Sequence, residues 1–135
     1  MIDLKKKPFF LDEEACQWVK KTLEGMSDEE KVGQLFCEIL WDRPGREPED
    51  LFEVIEPGGV MYRPFPGEKM HDFSERLQKK AKIPLLISCN LERGGSGGNG
   101  GLTNGTYVAS PMGCAATDDA QAAYDLAAGG CGGGG

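Results

Sequence analysis

The 135-residue sequence contains one histidine, His71. With so little imidazole, a zinc site is not expected. His71 stands beside Asp72 in a stretch with helical spacing and reads as a surface residue. Long apolar runs are missing too. No stretch approaches the length that spans a bilayer, so no membrane partner is expected. Pro8-Phe9-Phe10-Leu11 runs straight into Asp12-Glu13-Glu14, a pattern unlike a signal peptide. Positive charge is in deficit: 15 Lys and Arg face 22 Asp and Glu, for a net charge of −7. Nucleic-acid binding needs a basic surface that displaces counterions, so no nucleic-acid partner is expected. Lys5-Lys6-Lys7 and Lys79-Lys80 read as solvated faces. The five cysteines are odd in number and form no C-x-x-C pair. That pattern fits reduced thiols in a cytoplasmic protein better than a disulfide framework.

What is present alternates. Residues 12–24 have a stripe of Ala15, Cys16, Val19 and Leu23 at helical spacing, with Gly25 at the end. Ser27-Asp28-Glu29-Glu30 is a capping box and starts a short helix over residues 28–34. Residues 35–40 read as a buried strand, broken by Arg43-Pro44-Gly45. Residues 48–56 read as a helix with Leu51, Val54 and Ile55 inward, stopped by Pro57-Gly58. Residues 59–62 make a short second strand. Residues 67–82 give a helix with Met70, Phe73, Leu77 and Ala81 on one face. Residues 83–89 have the composition of a strand buried on both faces. Strand, helix, strand, helix, strand predicts an α/β fold with a parallel sheet. Residues 117–128 read as a helix capped by Thr117. Six glycines in residues 129–135 predict a frayed tail, because glycine loses most entropy on ordering.

Asn90 and Glu92 follow the third strand, and Gly94 and Gly95 come next. In a parallel sheet, ligands bind at the C-terminal strand ends. The two polar side chains therefore either grip a ligand or cap the strand by binding loop amides. The two glycines either let the backbone approach a ligand or turn the chain. Two other patterns in the glycine-rich loop carry nothing. Gly95-Ser96-Gly97-Gly98-Asn99-Gly100 fits the dinucleotide fingerprint, but turn residues follow where a helix should open. Gly94-Gly95-Ser96-Gly97-Gly98 fits a serine-nucleophile turn, but no histidine follows Ser96. A Walker A lysine is absent.

Three segments in order resemble the N-terminal barrel domain of family 3 glycoside hydrolases, the β-glucosidase and β-N-acetylhexosaminidase family. Residues 26–35 resemble its opening helix. Pro57-Gly58-Gly59-Val60-Met61 resembles its second strand. Residues 83–95 resemble its third strand with the D-x-E-G-G end. Here Asn90 stands for the aspartate, and Arg93 is inserted before the glycines. The resemblance implies sugar contact at Asn90, Glu92, Gly94 and Gly95, a carbohydrate substrate and no cofactor. It also implies the N-terminal portion of a (β/α)8 TIM barrel, incomplete here because eight units need about 250 residues. The expected layout is a helical extension over residues 1–26, a partial barrel domain over 27–128 and the glycine-rich tail over 129–135. The nucleophile and acid of such an enzyme are not expected within these residues, so the truncated chain should be an inactive glycosidase. A small α/β module that binds a nucleotide or sugar without catalysis is the rival. In a full-length homologue carrying this segment, Glu92→Ala is expected to lower kcat/KM by about 1.5–3 kcal/mol, one hydrogen bond to a charged group. An unchanged kcat/KM would make Glu92 a structural cap.

Overall fold

The computed structural model describes residues 2–90 and 108–132. Two helices open it. α1, Glu13–Gly25, is capped by Asp12, whose carboxylate accepts from the Ala15 amide at 2.8 Å. Cys16 on its stripe is buried, but Leu23 is exposed. α2, Asp28–Gly33, has the expected reciprocal cap. The Ser27 hydroxyl accepts from the Glu30 amide at 3.1 Å, and the Glu30 carboxylate accepts from the Ser27 amide at 2.8 Å.

Three strands follow: β1 (Cys37–Leu40), β2 (Gly59–Tyr62) and β3 (Leu86–Cys89). They form one parallel sheet in the order β1-β2-β3. The expected α/β class and parallel pairing are therefore observed. Both outer strands are shorter than their apolar runs. Leu35 and Phe36 donate back to Val32 and Gly33 at 3.0 Å, so these residues close α2 instead of opening β1. At β3, Pro84 has no amide proton to give. The Leu85 backbone is held on both sides by the Gln78 side-chain amide at 2.9 Å. Pairing begins at Leu86, whose amide reaches Gly58 O at 3.0 Å.

The core lies on one face of the sheet. Val60 and Tyr62 of β2 pack with Phe65, Leu77 and Leu85, all nearly inaccessible. α3, Gly67–Lys80, covers that face, and Met70, Phe73, Leu77 and Ala81 all reach the cluster as their spacing predicts. Tyr62 stacks edge-on to Phe65 at 5.1 Å, and Phe65 to Phe73 at 5.5 Å. The Ser74 hydroxyl donates to Met70 O at 2.7 Å, which leaves it to accept from the Tyr62 hydroxyl at 3.0 Å. Burial raises the Tyr62 pKa.

β3 corrects the expectation of a strand buried on both faces. Leu86 is 78% exposed and Ile87 43%. Among the described residues the sheet has three strands, so β1 and β3 are its margins, and α3 covers its centre. Residues 48–56 are corrected as well. Pro48–Glu53 is a 3-10 helix, and Val54, expected inward, is 87% exposed because the element ends before it. Leu51 and Phe52 supply the inward contacts.

The 3-10 helix is bound to α3 by charge. The Arg76 guanidinium donates to Glu49 from Nε at 2.7 Å and Nη2 at 2.6 Å, and Nη2 also reaches Glu47 at 2.6 Å. Asp72, one turn away on α3, lies 3.6 Å from Arg76. Lys80 donates to Glu49 O at 3.2 Å.

Beyond the sheet, α4 (Pro111–Ala115) is a single turn capped by Ser110, and α5 spans Ala120–Gly132. α5 starts three residues after Thr117 and stays helical through Gly132, four residues into the stretch read as a frayed tail. Glycine costs about 1 kcal/mol against alanine in a helix. The alanine-rich stretch before it is the source of the propagation.

Two outcomes follow from this packing. A Cβ on Gly59 would lie 2.7 Å from Leu86 O across the ladder. Gly59→Ala is expected to destabilise the chain by about 1–3 kcal/mol in urea denaturation, the usual range for overpacking. Arg76 holds the Glu49 carboxyl below its usual pKa. A depressed carboxylate contributes stability that is present above its unfolded pKa of about 4.3 and lost as pH falls through the folded value. Denaturation midpoints of the wild type should fall more steeply than those of Glu49→Gln below about pH 4.3; parallel curves would mean the pair adds no stability.

Candidate functional site

The register of the sheet places one residue of each strand in a level row at its C-terminal edge. Leu40 pairs with Tyr62, and Tyr62 with Cys89. All three point to the α3 face, where they join or touch the core. Strand alternation turns the next residue to the opposite face. The residues that follow the three strands are Trp41, Arg63 and Asn90; Asn90 is an isolated bridge residue outside the paired register of β2 and β3. The pairing extends one step past β2, since the Arg63 amide donates to Leu40 O at 2.9 Å.

The row combines three chemistries. Trp41 is half exposed and offers an aromatic face. The Arg63 guanidinium carbon lies 5.8 Å from the centre of the Trp41 ring, in cation–π range. Asn90 is half-buried and forms a single bridge residue beyond β3. Its amide can donate and accept but carries no charge. Beside the row, the Cys89 thiol is pushed up by burial and is thus a poor nucleophile.

Asn90 directly follows β3. Glu92, Gly94 and Gly95 lie outside the described residues. Two other acids lie near the strand ends. Asp42 is ion-paired with Lys69 of α3. Glu38, level with Val60, lies by alternation on the α3 side of β1. It lines a groove of about 240 Å³ with Arg43, Arg46 and Glu47. His71 is exposed on α3.

Trp41 and Arg63 were not singled out from the sequence. The signal was available: each is the first residue after a predicted strand, the same position that drew notice to Asn90. A groove of about 550 Å³ between residues 2–5 and α1 has greater volume, but the strand ends do not contribute to it.

No family model matches the chain. It is 40% identical over 117 residues to a β-N-acetylglucosaminidase/β-glucosidase from Cellulomonas fimi, covering 87% of this chain and 20% of that protein. It also superposes on the solved structure of β-glucoside phosphorylase BglX bound to 2FGlc, with TM-score 0.85 and 60% identity. That match covers 91% of this chain and 22% of BglX. A second BglX structure gives TM-score 0.76 and 56% identity over the same share of this chain and 21% of that one. The chain thus spans about a fifth of the length of the relatives it matches. At these identities the chain is a homologue of glycoside hydrolase family 3 proteins, as its three segments implied.

Proposed function

We propose that these residues form the opening part of a (β/α)8 barrel that processes terminal β-linked sugars, glucose or N-acetylglucosamine. The 60% identity and TM-score of 0.85 to a β-glucoside phosphorylase bound to 2FGlc carry this reading. In it, the open face of the sheet is one wall of the sugar site. Asn90 meets sugar hydroxyls, joined by Glu92, Gly94 and Gly95. Trp41 supplies an apolar surface against the ring. No metal or organic cofactor is called for.

The mechanism of such an enzyme requires a carboxylate on one face of the sugar and a proton donor at the leaving oxygen. The described strand ends offer neither. Asp42 is tied to Lys69. Three strands also leave a sugar open to water. In this reading the segment binds and positions, and the 135 residues by themselves do not turn over.

Two acceptors fit the relatives' names. Hydrolysis passes the glycosyl group to water, and phosphorolysis passes it to phosphate. The higher identity to a phosphorylase, 60% against 40% for the glucosidase, favours keeping phosphorolysis as the second reading.

Incubation of the 135-residue chain with aryl β-glucoside and aryl β-N-acetylglucosaminide, with and without phosphate, should release no phenol above a buffer blank. Binding of glucose should be detectable by calorimetry and should weaken about tenfold or more in Asn90→Ala, the loss of one or two hydrogen bonds. Turnover by the wild type would show that the segment is a complete catalyst. Glucose affinity unchanged in Asn90→Ala would remove Asn90 from the sugar site.

A further inference from the structure

Nε and Nη1 of Arg63 are closed to solvent and have no hydrogen-bond partner among the described residues. A guanidinium cannot shed its proton in a protein, so burial cannot neutralise it. A ligand arriving from solvent does not reach these two nitrogens. Among the described residues, the Trp41 indole lies against the group, with the guanidinium carbon 5.8 Å from the ring centre. The ring quadrupole attracts a cation over its face, and more strongly where water is excluded. A planar guanidinium also stacks on an aromatic face in a way that an ammonium cannot. The described use of this charge is therefore the contact with the ring.

The backbone around Trp41 is held on both sides. Leu40, before it, packs against the core cluster. Asp42, after it, is ion-paired with Lys69 of α3, whose ammonium lies 5.3 Å from the centre of the Phe73 ring. The Arg63 amide donates to Leu40 O at 2.9 Å, so the segments that carry the ring and the cation are joined. With the backbone held, the freedom left to Trp41 is in its side-chain torsions, and the guanidinium over the ring restricts them. Trp41 is still 49% exposed, so part of it stays open to a ligand. An exposed ring that is ordered before binding favours affinity, because a ring ordered only on contact loses entropy at that moment.

We propose that Arg63 is a positioning residue that acts through Trp41, holding the indole ready for the apolar C–H face of a hexopyranose ring. The inference rests on the sugar-processing reading and adds to it the means by which an exposed aromatic ring at the end of β1 is kept in one orientation. The cation binds the ring, and the ring binds the sugar.

The test is a double-mutant cycle on glucose binding, measured by calorimetry with the 135-residue chain. Its members are wild type, Arg63→Met, Trp41→Ala and the double variant. Arg63→Met should weaken glucose binding about 3- to 10-fold, the size of a cation–π contact. The double variant should bind as Trp41→Ala does, because without the ring Arg63 has nothing to hold. Arg63→Lys keeps the charge without the planar stack and should fall between wild type and Arg63→Met. A second readout needs no sugar. The ¹H–¹⁵N heteronuclear NOE of the Trp41 indole reports its ps–ns order and should drop in Arg63→Met. The indole of Trp18 on α1, in the same spectrum, should keep its value.

Losses that multiply in the double variant would overturn the proposal, since Arg63 would then act on glucose by another route. So would an Arg63→Met variant with unchanged glucose affinity, or one whose Trp41 indole is as ordered as in the wild type. If neither Arg63→Met nor Arg63→Lys folds, Arg63 is a structural ion and the proposal fails on that ground. The two readouts separate this proposal from the reading beneath it. A wild type that binds no glucose would sink the sugar wall, while a Trp41 indole loosened in Arg63→Met would still show that Arg63 holds the ring. Glucose binding with an indifferent Trp41 indole would do the reverse.

Discussion

The parallel pairing of Leu40, Tyr62 and Cys89 sets the rest of the structure. Tyr62 is fully buried between two strands and α3, and its hydroxyl is held through Ser74. Its edge contact with Phe65, which in turn meets Phe73 of α3, holds α3 against the sheet. Because side chains alternate along a strand, burying this row on one face obliges the next row to project from the other. Trp41, Arg63 and Asn90 are the residues that follow this row in sequence. A one-residue slip of β3 would bury Asn90 and expose Cys89, at the cost of an amide in an apolar cluster. The start of each strand-end segment is thus tied to core packing.

The charged contacts play a different part. Arg76 with Glu47 and Glu49 ties the 3-10 helix to α3. Lys69 with Asp42 joins the start of α3 to the end of β1. This second pair removes Asp42 from the acids available at the strand ends. It also leaves Arg63 without that carboxylate. The same ion pair that ties α3 to β1 therefore shapes what the row offers to a ligand.

Much of the fold was legible because local signals agreed. The Ser27 capping box, the α3 stripe and the β2 strand of Gly59–Tyr62 appear as their residues predict. The strand ends were less legible. Apolar content alone extends β1 back to Leu35 and β3 back to Ile83. The actual starts depend on which backbone groups are already satisfied, by α2 at one strand and by Gln78 at the other. Burial was misjudged at Leu86 for a related reason. Sequence composition records that a residue is apolar, not how many strands and helices cover it. At the site, Asn90 was visible as a polar residue after a strand. Trp41 and Arg63 were not, since an aromatic and a cation in a loop have many other uses.

The central claim is that the open edge of the sheet, from Trp41 through Arg63 to Asn90, is the ligand-facing surface. Amide and indole NMR of the ¹⁵N-labelled chain, titrated with glucose, tests it most directly. The prediction is that glucose shifts the Asn90 side-chain amide and the Trp41 indole, and that α1 stays unchanged. Shifts concentrated between residues 2–5 and α1, with the row unmoved at saturating ligand, would contradict it.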